Sequence, residues 1–544
     1  MDHSHKHFPI IICGAGSVGL MLAAELAFRN QKVLLIEKSP HLNDHPRANA
    51  VANRSMEYFR RLGIAKKIQD AGIPPDNPAD YYWISHFKGK LIHKLSLPAS
   101  KKMANDKTDI ENFPEEFTWS PYLKTITGQN ELEKILLNYL DQNNYVEIKF
   151  DHELVNFNEG DKKISLEVRN ENEIIQYSTN YLMACDGGKS LIREKLKIPL
   201  KGRANISNFI SIYFRSEKFM DLHDFGPANI YFPLKNDMAG FILNWDTGKT
   251  FTYHLMIDKE CDPSTVDVRE ALTKVVGSEI DDLEIISVQP WNAHALVANK
   301  YQNNNIFLLG DAAHLFTPTG GFGMNTGISD AVDLAWKIEA VTSGWASCAL
   351  LKTYEEERRP IGIRNTHEAA NCFDELKKVM IYGDEIDGES EDSIQLRSDL
   401  KAELINQNKI ISSSGTLLGY RYNSSTILSD GSVEPKDDPR FYIPSARPGH
   451  RAPHYWIKKN ETIYDFFGPH FTFIAFTNFS ENKVKTIFQK LKIPFKIVKI
   501  NDGNCKDLYE KNFVLVRPDY MISWRADIIP ENFVDVLKTV TCNL

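Results

Sequence analysis

A chain of 544 residues is too long for one compact core, so two or three domains are expected. Its 42% hydrophobic and 25% charged residues are those of an ordinary globular protein. The net charge of −8 excludes a general nucleic-acid binder, which needs a basic face, and the sequence has no apolar run of membrane-spanning length.

The opening "MDHSHKHFPIIICGAG" lacks the layout of a signal peptide, because its short apolar run ends directly in a glycine turn. His3, His5 and His7 read as a solvated, frayed terminus rather than a metal site. The seven cysteines are scattered and form no C-x-x-C pair, which suits a reducing cytoplasm and buried, inert thiols. Residues 9–13 then read as a buried strand, followed by Gly14, Gly16 and Gly19 in G-x-G-x-x-G spacing, a helix over 20–28, and a second strand, "KVLLIE", ending at Glu37 and Lys38. Gly14 permits the tight turn, Gly16 lets backbone approach a pyrophosphate, and Gly19 lets helix and strand pack closely. The helix N-terminus offers unpaired amides to the phosphates. Glu37 stands about 20 positions on, where an acid accepts from a ribose diol and repels the 2′-phosphate of NADPH. This unit predicts a dinucleotide site without separating FAD from NAD.

Residues 205–258 are rich in β-branched and aromatic residues with turn breaks, and predict antiparallel strands. Tyr213, Tyr231, Phe241 and Asn244 are candidate pocket walls there, although alternation does not say which face meets a ligand. Next comes "NNIFLLGDAAHLFTPTGGFGMNTG": a buried strand over 306–309, the acid Asp311, a loop stiffened by Pro318, and Gly321, Gly323, Met324 and Asn325 at the head of a helix. An acid at a strand end suits a polyol, and helix-head amides around 323–325 suit an anion. FAD has both features, a ribityl chain and a reduced ring that carries charge. Residues 348–380 read as helix with a break at Arg358, Arg359 and Pro360, and the acidic 382–393 as a solvated linker. Beyond about 415, stretches such as "LLGYRYNSSTI" and "YIPSARPGHRAPHYWI" read as short strands divided by Pro and Gly.

Three signatures in order, "GAGSVG" with Glu37, "ACDGGKSLIR" and "GDAAHLFTPTGGFGMNTG", resemble those of the class A FAD-dependent aromatic hydroxylases typified by para-hydroxybenzoate hydroxylase. The tail resembles the thioredoxin-like domain of the phenol, hydroxyphenylpropionate and polyketide hydroxylases. The resemblance implies an α/β fold: a Rossmann-like FAD-binding domain (1–80, 125–200, 290–345), an inserted antiparallel-sheet substrate domain (81–124, 201–289), a helical linker (346–414) and the thioredoxin-like domain (415–544). It places Asp186 in the fingerprint near FAD and the nicotinamide donor, Arg47 on the FAD pyrophosphate or the incoming donor, and Gln129 beside the flavin. It implies hydroxylation of a phenolic ring: NADPH or NADH reduces FAD, and a C4a-hydroperoxide formed with O2 delivers the hydroxyl. The expected protein is a cytoplasmic monomer or homodimer, with a small aromatic substrate and no nucleic-acid or membrane partner. The competing readings are a non-catalytic FAD-binding partner, a flavin reductase, or a halogenase, whose W-x-W-x-I-P signature is missing.

Overall fold

The computed structural model describes residues 6–74, 76–77, 79–97, 115–246, 248–411 and 413–543. His3 and His5 lie outside them, whereas His7 belongs to the first strand and bonds to the Ser178 hydroxyl.

Strand Lys6–Cys13 becomes fully buried over its last residues and ends at Gly14, whose φ of +105° lies in the region open to glycine. The buried helix Ser17–Phe28 follows, and Val33–Ile36 returns parallel to the first strand. Val146–Lys149 extends the sheet on that side; Glu173–Ala184 and then Ile306–Leu308 extend it on the other, all parallel. Glu37, the first glycine loop, Asp186 and the segment leading to Asp311 thus gather at the carboxyl ends of neighbouring strands, where ligands bind in doubly wound sheets.

A second sheet is centred on the long strand Leu200–Arg215, with Glu284–Ala298 and Thr250–Ile257 antiparallel on its two sides. It continues through Gly240–Asn244, Ile230–Pro233, Tyr81–Ile84 and Leu91–Leu95. One pair departs from the antiparallel pattern: Ile230–Pro233 runs parallel to Tyr81–Ile84. The domain border expected at 289/290 falls inside Glu284–Ala298, which stays paired with Leu200–Arg215 to its last residue because its backbone groups need those ladder partners.

Helix Thr353–Lys377 runs unbroken through Pro360, where the sequence predicts a break. Proline deprives only the Glu356 carbonyl of its helical donor, and its fixed φ is helical. Both flanking turns are held by burial of Arg358 and Ile361, and Arg358 is bonded to Asp330, Tyr422 and the Thr326 carbonyl. The acidic segment is only partly a solvated linker. Ile386 is buried, and the following helix, Glu391–Ile411, packs Leu400 and Leu404 against Trp83 and Phe232 of the second sheet.

The thioredoxin-like unit pairs Phe471–Ala475 in parallel with Phe495–Lys499, then adds Phe513–Val516 and Ile522–Ala526 antiparallel. Strands expected over 417–427 and 442–457 are not formed, apart from the short Trp456–Lys458. Pro444, Pro448 and Pro453 remove ladder donors, and Tyr420, Tyr422 and Arg451 are buried against the cofactor domain instead. All seven cysteines are free. Among the described residues no helix is long and apolar enough to cross a membrane.

Candidate functional site

The three glycines of the first loop serve different ends. A Cβ on Gly14 would lie 2.2 Å from the Cys185 carbonyl oxygen, and one on Gly19 would lie 1.9 Å from that of Gly14, so the fold itself excludes side chains there. A Cβ on Gly16 would meet only Glu133 Oε1, at 3.9 Å. What Gly16 bares is open space at the head of Ser17–Phe28, a cradle for a phosphate group. Glu37 stands beside it, its two oxygens accepting from the amides of Ala15 (2.8 Å) and Ser39 (2.9 Å) with lone pairs to spare for a ribose. Lys38 is exposed at the same strand end.

Gln129 heads the helix Gln129–Leu140 and donates to Glu133 Oε1 at 2.7 Å; the same oxygen accepts from the Ser17 amide and hydroxyl. Burial pushes the Glu133 carboxyl up, while the bonds from Gln129 and Ser17 hold it down. Sequence reasoning missed this acid. Its only signal is its place one helical turn after Gln129, and nothing local says that it is buried.

Asp186 accepts from the Ile192 amide through Oδ2, and its Oδ1 is buried without a partner. Burial raises its carboxyl. Arg193 donates to the carbonyls of Gly188 and Ala312, tying this fingerprint to the segment that carries Asp311. The Asp311 side chain has open surface, yet protein surrounds it. Burial pushes its carboxyl up, and His314 and Arg47 draw it down. The missed Asp330 fixes this turn from behind, meeting the Gly310 amide, His314 and Arg358 at once.

Beyond Pro318 the chain passes through Gly320 and Gly321 at positive φ and enters the helix Phe322–Thr342. The amides at 323 and 324, in the first turn of that helix, have no helical acceptor. The Asn325 side chain is already committed: Oδ1 accepts from the Ala52 amide and Ser55 hydroxyl, and Nδ2 donates to the carbonyls of Ala50 and Gly321. It is a strut for the loop, so any contact of Asn325 with a cofactor is left to its backbone.

A cavity of about 510 Å³ joins these parts. Asp311, Pro318, Gly321, Gly323 and Met324 line one wall; Trp83, Phe232, Phe241 and Trp291 of the second sheet line another. Of the four candidate wall residues only Phe241 faces it. Tyr231 bonds to the Gly226 carbonyl and Asn244 to that of Ala228, inside the sheet's own packing, and Tyr213 rests edge-on against His45. His45 bridges the hydroxyls of Ser211 and Ser287, which locks the 45–50 loop to the sheet. Burial, with help from Arg47, lowers its imidazole to about 4, so it is neutral at physiological pH. Arg47 is exposed at the cavity and forms no ion pair among the described residues. The open cradle at Gly16, the orphan oxygen of Asp186, the acid at 311 and the free helix-head amides form the complementary set for a dinucleotide ending in a polyol and an anionic ring. That set fits FAD.

Residues 7–369 match the family model for an FAD-binding domain, and residues 445–541 that for the aromatic-ring hydroxylase C-terminal domain. The FAD-dependent monooxygenase apdD of Emericella nidulans is 27% identical over 96% of this chain and 88% of its own. Tetracenomycin A2 monooxygenase-dioxygenase of Streptomyces glaucescens is 27% identical over 98% and 96%. RebC, solved with bound 7-carboxy-K252c, superposes with a TM-score of 0.89 at 29% identity and 99% coverage of both chains.

Proposed function

Since the chain belongs to the FAD-dependent aromatic-ring hydroxylases, we propose that it inserts one oxygen atom of O2 into an activated, phenolic ring at the expense of NADPH and a proton, giving the hydroxylated ring, water and NADP⁺. One observation carries this reading. The cavity is walled on one side by the second glycine loop and on the other by aromatic side chains of the inserted sheet, so a flat ring held by that sheet meets the cofactor inside one enclosure. FAD, when bound, supplies the redox chemistry; the protein binds, orients and shields. Glu37 and the amides around Gly16 hold the adenosine and pyrophosphate, and Asp311 the ribityl hydroxyls. The free amides at 323 and 324 would stabilise negative charge on the ring edge. Apolar walls exclude water. The measurement that tests the proposal is O2 uptake by the purified FAD-loaded protein with NADPH and with NADH, before and after adding a series of polycyclic phenols. The expected result is slow oxidation that a phenol stimulates, with a hydroxylated product by mass spectrometry. Stimulation with no hydroxylated product, for any phenol supplied, opposes it.

Two substitutions follow. Asp311→Ala is expected to weaken FAD binding by about 1–3 kcal/mol, the loss of a charge-assisted hydrogen bond, read by fluorescence titration of the FAD-free protein. An unchanged affinity contradicts the role given to Asp311. Arg47 is assigned to the donor: only one βαβ dinucleotide unit is present among the described residues, so NADPH docks transiently and needs a free cation at the mouth. Arg47→Ala is expected to raise the KM for NADPH about tenfold while FAD stays bound. If KM and the reduction rate are unchanged, the assignment fails.

A further inference from the structure

The cavity contains a cation for which the cofactor offers no use. Lys124 lines it from the short segment that leads into Thr125–Ile126, and this two-residue strand pairs with Ala50–Val51. The backbone at 124 is therefore pinned beside the cofactor loop. The side chain is half-buried, and it has no hydrogen-bond or ion-pair partner among the described residues. Lysines on a surface extend their ammonium to water; this one is surrounded by protein and faces the cavity.

The charged and titratable groups lining the cavity leave Lys124 uncompensated. Among the described residues Asp311 is the one acid on its walls, and the groups that act on it are His314 and Arg47. The group that acts on Lys124 is Cys372, whose thiol burial raises to about 12, so it stays neutral. Lys124 and Asp311 line one cavity, and neither is among the groups that act on the other. His45 and His254 are lowered by burial to about 4 and about 3 and add no negative charge, nor does His294, lowered by the same cause. Burial lowers the Lys124 ammonium as well, which is the cost of a cation without a counter-ion.

Aromatic side chains of the second sheet line the same cavity. Trp83 stacks on Phe232 with 5.1 Å between centroids, Phe241 on His254 at 4.5 Å, and Trp291 on Phe209 at 4.5 Å. These side chains give the cavity an aromatic lining, and a volume of about 510 Å³ suits a drug-sized guest. We propose that Lys124 pairs with an anionic oxygen of the substrate, which is accordingly a planar aromatic acid: a ring system carrying a carboxylate or an ionised phenol. This rests on the aromatic-hydroxylase reading and names the substrate class within it. The ammonium is a binding group that sets how the ring is oriented in the cavity.

The test is calorimetric titration of the full-length, FAD-loaded protein with three probes of one shape: anthraquinone-2-carboxylate, 2-hydroxyanthraquinone above its phenol pKa, and the neutral anthraquinone-2-carboxamide. Wild type is expected to bind the two anions about 10- to 100-fold more tightly than the amide. Lys124→Met should abolish that preference, leave carboxamide binding within about threefold, and keep FAD bound. Lys124→Arg should retain the preference. Equal affinities for the three probes in wild type, or the same anion preference in Lys124→Met, overturn the inference and leave the hydroxylase reading standing. Failure of every probe to bind the FAD-loaded protein overturns this assignment of the cavity, while failure to bind FAD at all overturns the hydroxylase reading with it.

Discussion

Arg517→Leu is expected to destabilise the protein by about 3–5 kcal/mol, the usual result of deleting one member of a buried ion cluster. Arg517 lies in the C-terminal unit with no exposed side-chain surface, yet its guanidinium reaches Asp333 at 3.1 Å and Glu357 at 2.6 Å, both on helices of the cofactor domain. Asp519 and Lys337 complete the cluster. Burial pushes Glu357 up, but Arg517 and Lys337 overcome it and hold the carboxyl well below its ordinary range. Removing Arg517 leaves three buried acids facing one lysine, with desolvation no longer offset. Trp336 packs under the guanidinium at 5.0 Å, so its fluorescence reports the loss directly in a urea titration. Arg203→Leu provides the contrast: that arginine pairs with Asp374 in the open and should cost at most about 1 kcal/mol. An Arg517→Leu protein with the wild-type midpoint would mean that the C-terminal unit is not welded to the cofactor domain in this way.

That weld also explains what the sequence conceals. The glycine loops are legible because their causes are local: a turn at positive φ, a close approach, a helix head a few residues on. Glu37 and Asp311 are legible because each ends a strand recognisable by its own apolar run. Glu133, Asp330 and Arg517 are not, since each acquires its meaning from partners tens to hundreds of positions away. The tail between 419 and 455 looks like strands because it is rich in tyrosine, but Tyr420 and Tyr422 are spent on Arg358 across the domain junction, and Tyr442 on Arg451, which itself reaches across to Glu57. Pocket walls fail for a different reason. Successive strand residues point to opposite faces, so Ile230 and Phe232 meet the cavity while Tyr231 enters the sheet's other core, and Phe241 and Leu243 meet it while Ile242 does not. A one-residue change of parity turns a plausible wall into packing, and composition carries no information about parity. Lys124 gives no periodic signal at all; only the surrounding cavity singles it out.

The cleanest separation of fold from function lies in the first glycine loop. Gly14→Ala is expected to cost at least about 3 kcal/mol, because a φ of +105° is strained for any side chain and the new methyl meets backbone at 2.2 Å. Gly16→Ala should behave otherwise. Its φ of −74° and ψ of 177° are ordinary for alanine, and the added methyl meets nothing nearer than 3.9 Å. The FAD-free variant should therefore keep the wild-type unfolding midpoint, within about 0.5 kcal/mol. Only a group held against the loop from outside makes glycine necessary at 16, and the function proposed above makes the pyrophosphate of FAD that group. The methyl pushes it off the amides at the head of Ser17–Phe28, where each charge-assisted bond lost weakens binding, so FAD affinity should fall about 100-fold or more. Equilibrium titration with FAD and urea unfolding of the FAD-free protein, run on the same preparation, distinguish the two effects. Should Gly16→Ala bind FAD as wild type does, the cradle assigned to the pyrophosphate is in the wrong place; should it unfold early, Gly16 serves the fold after all.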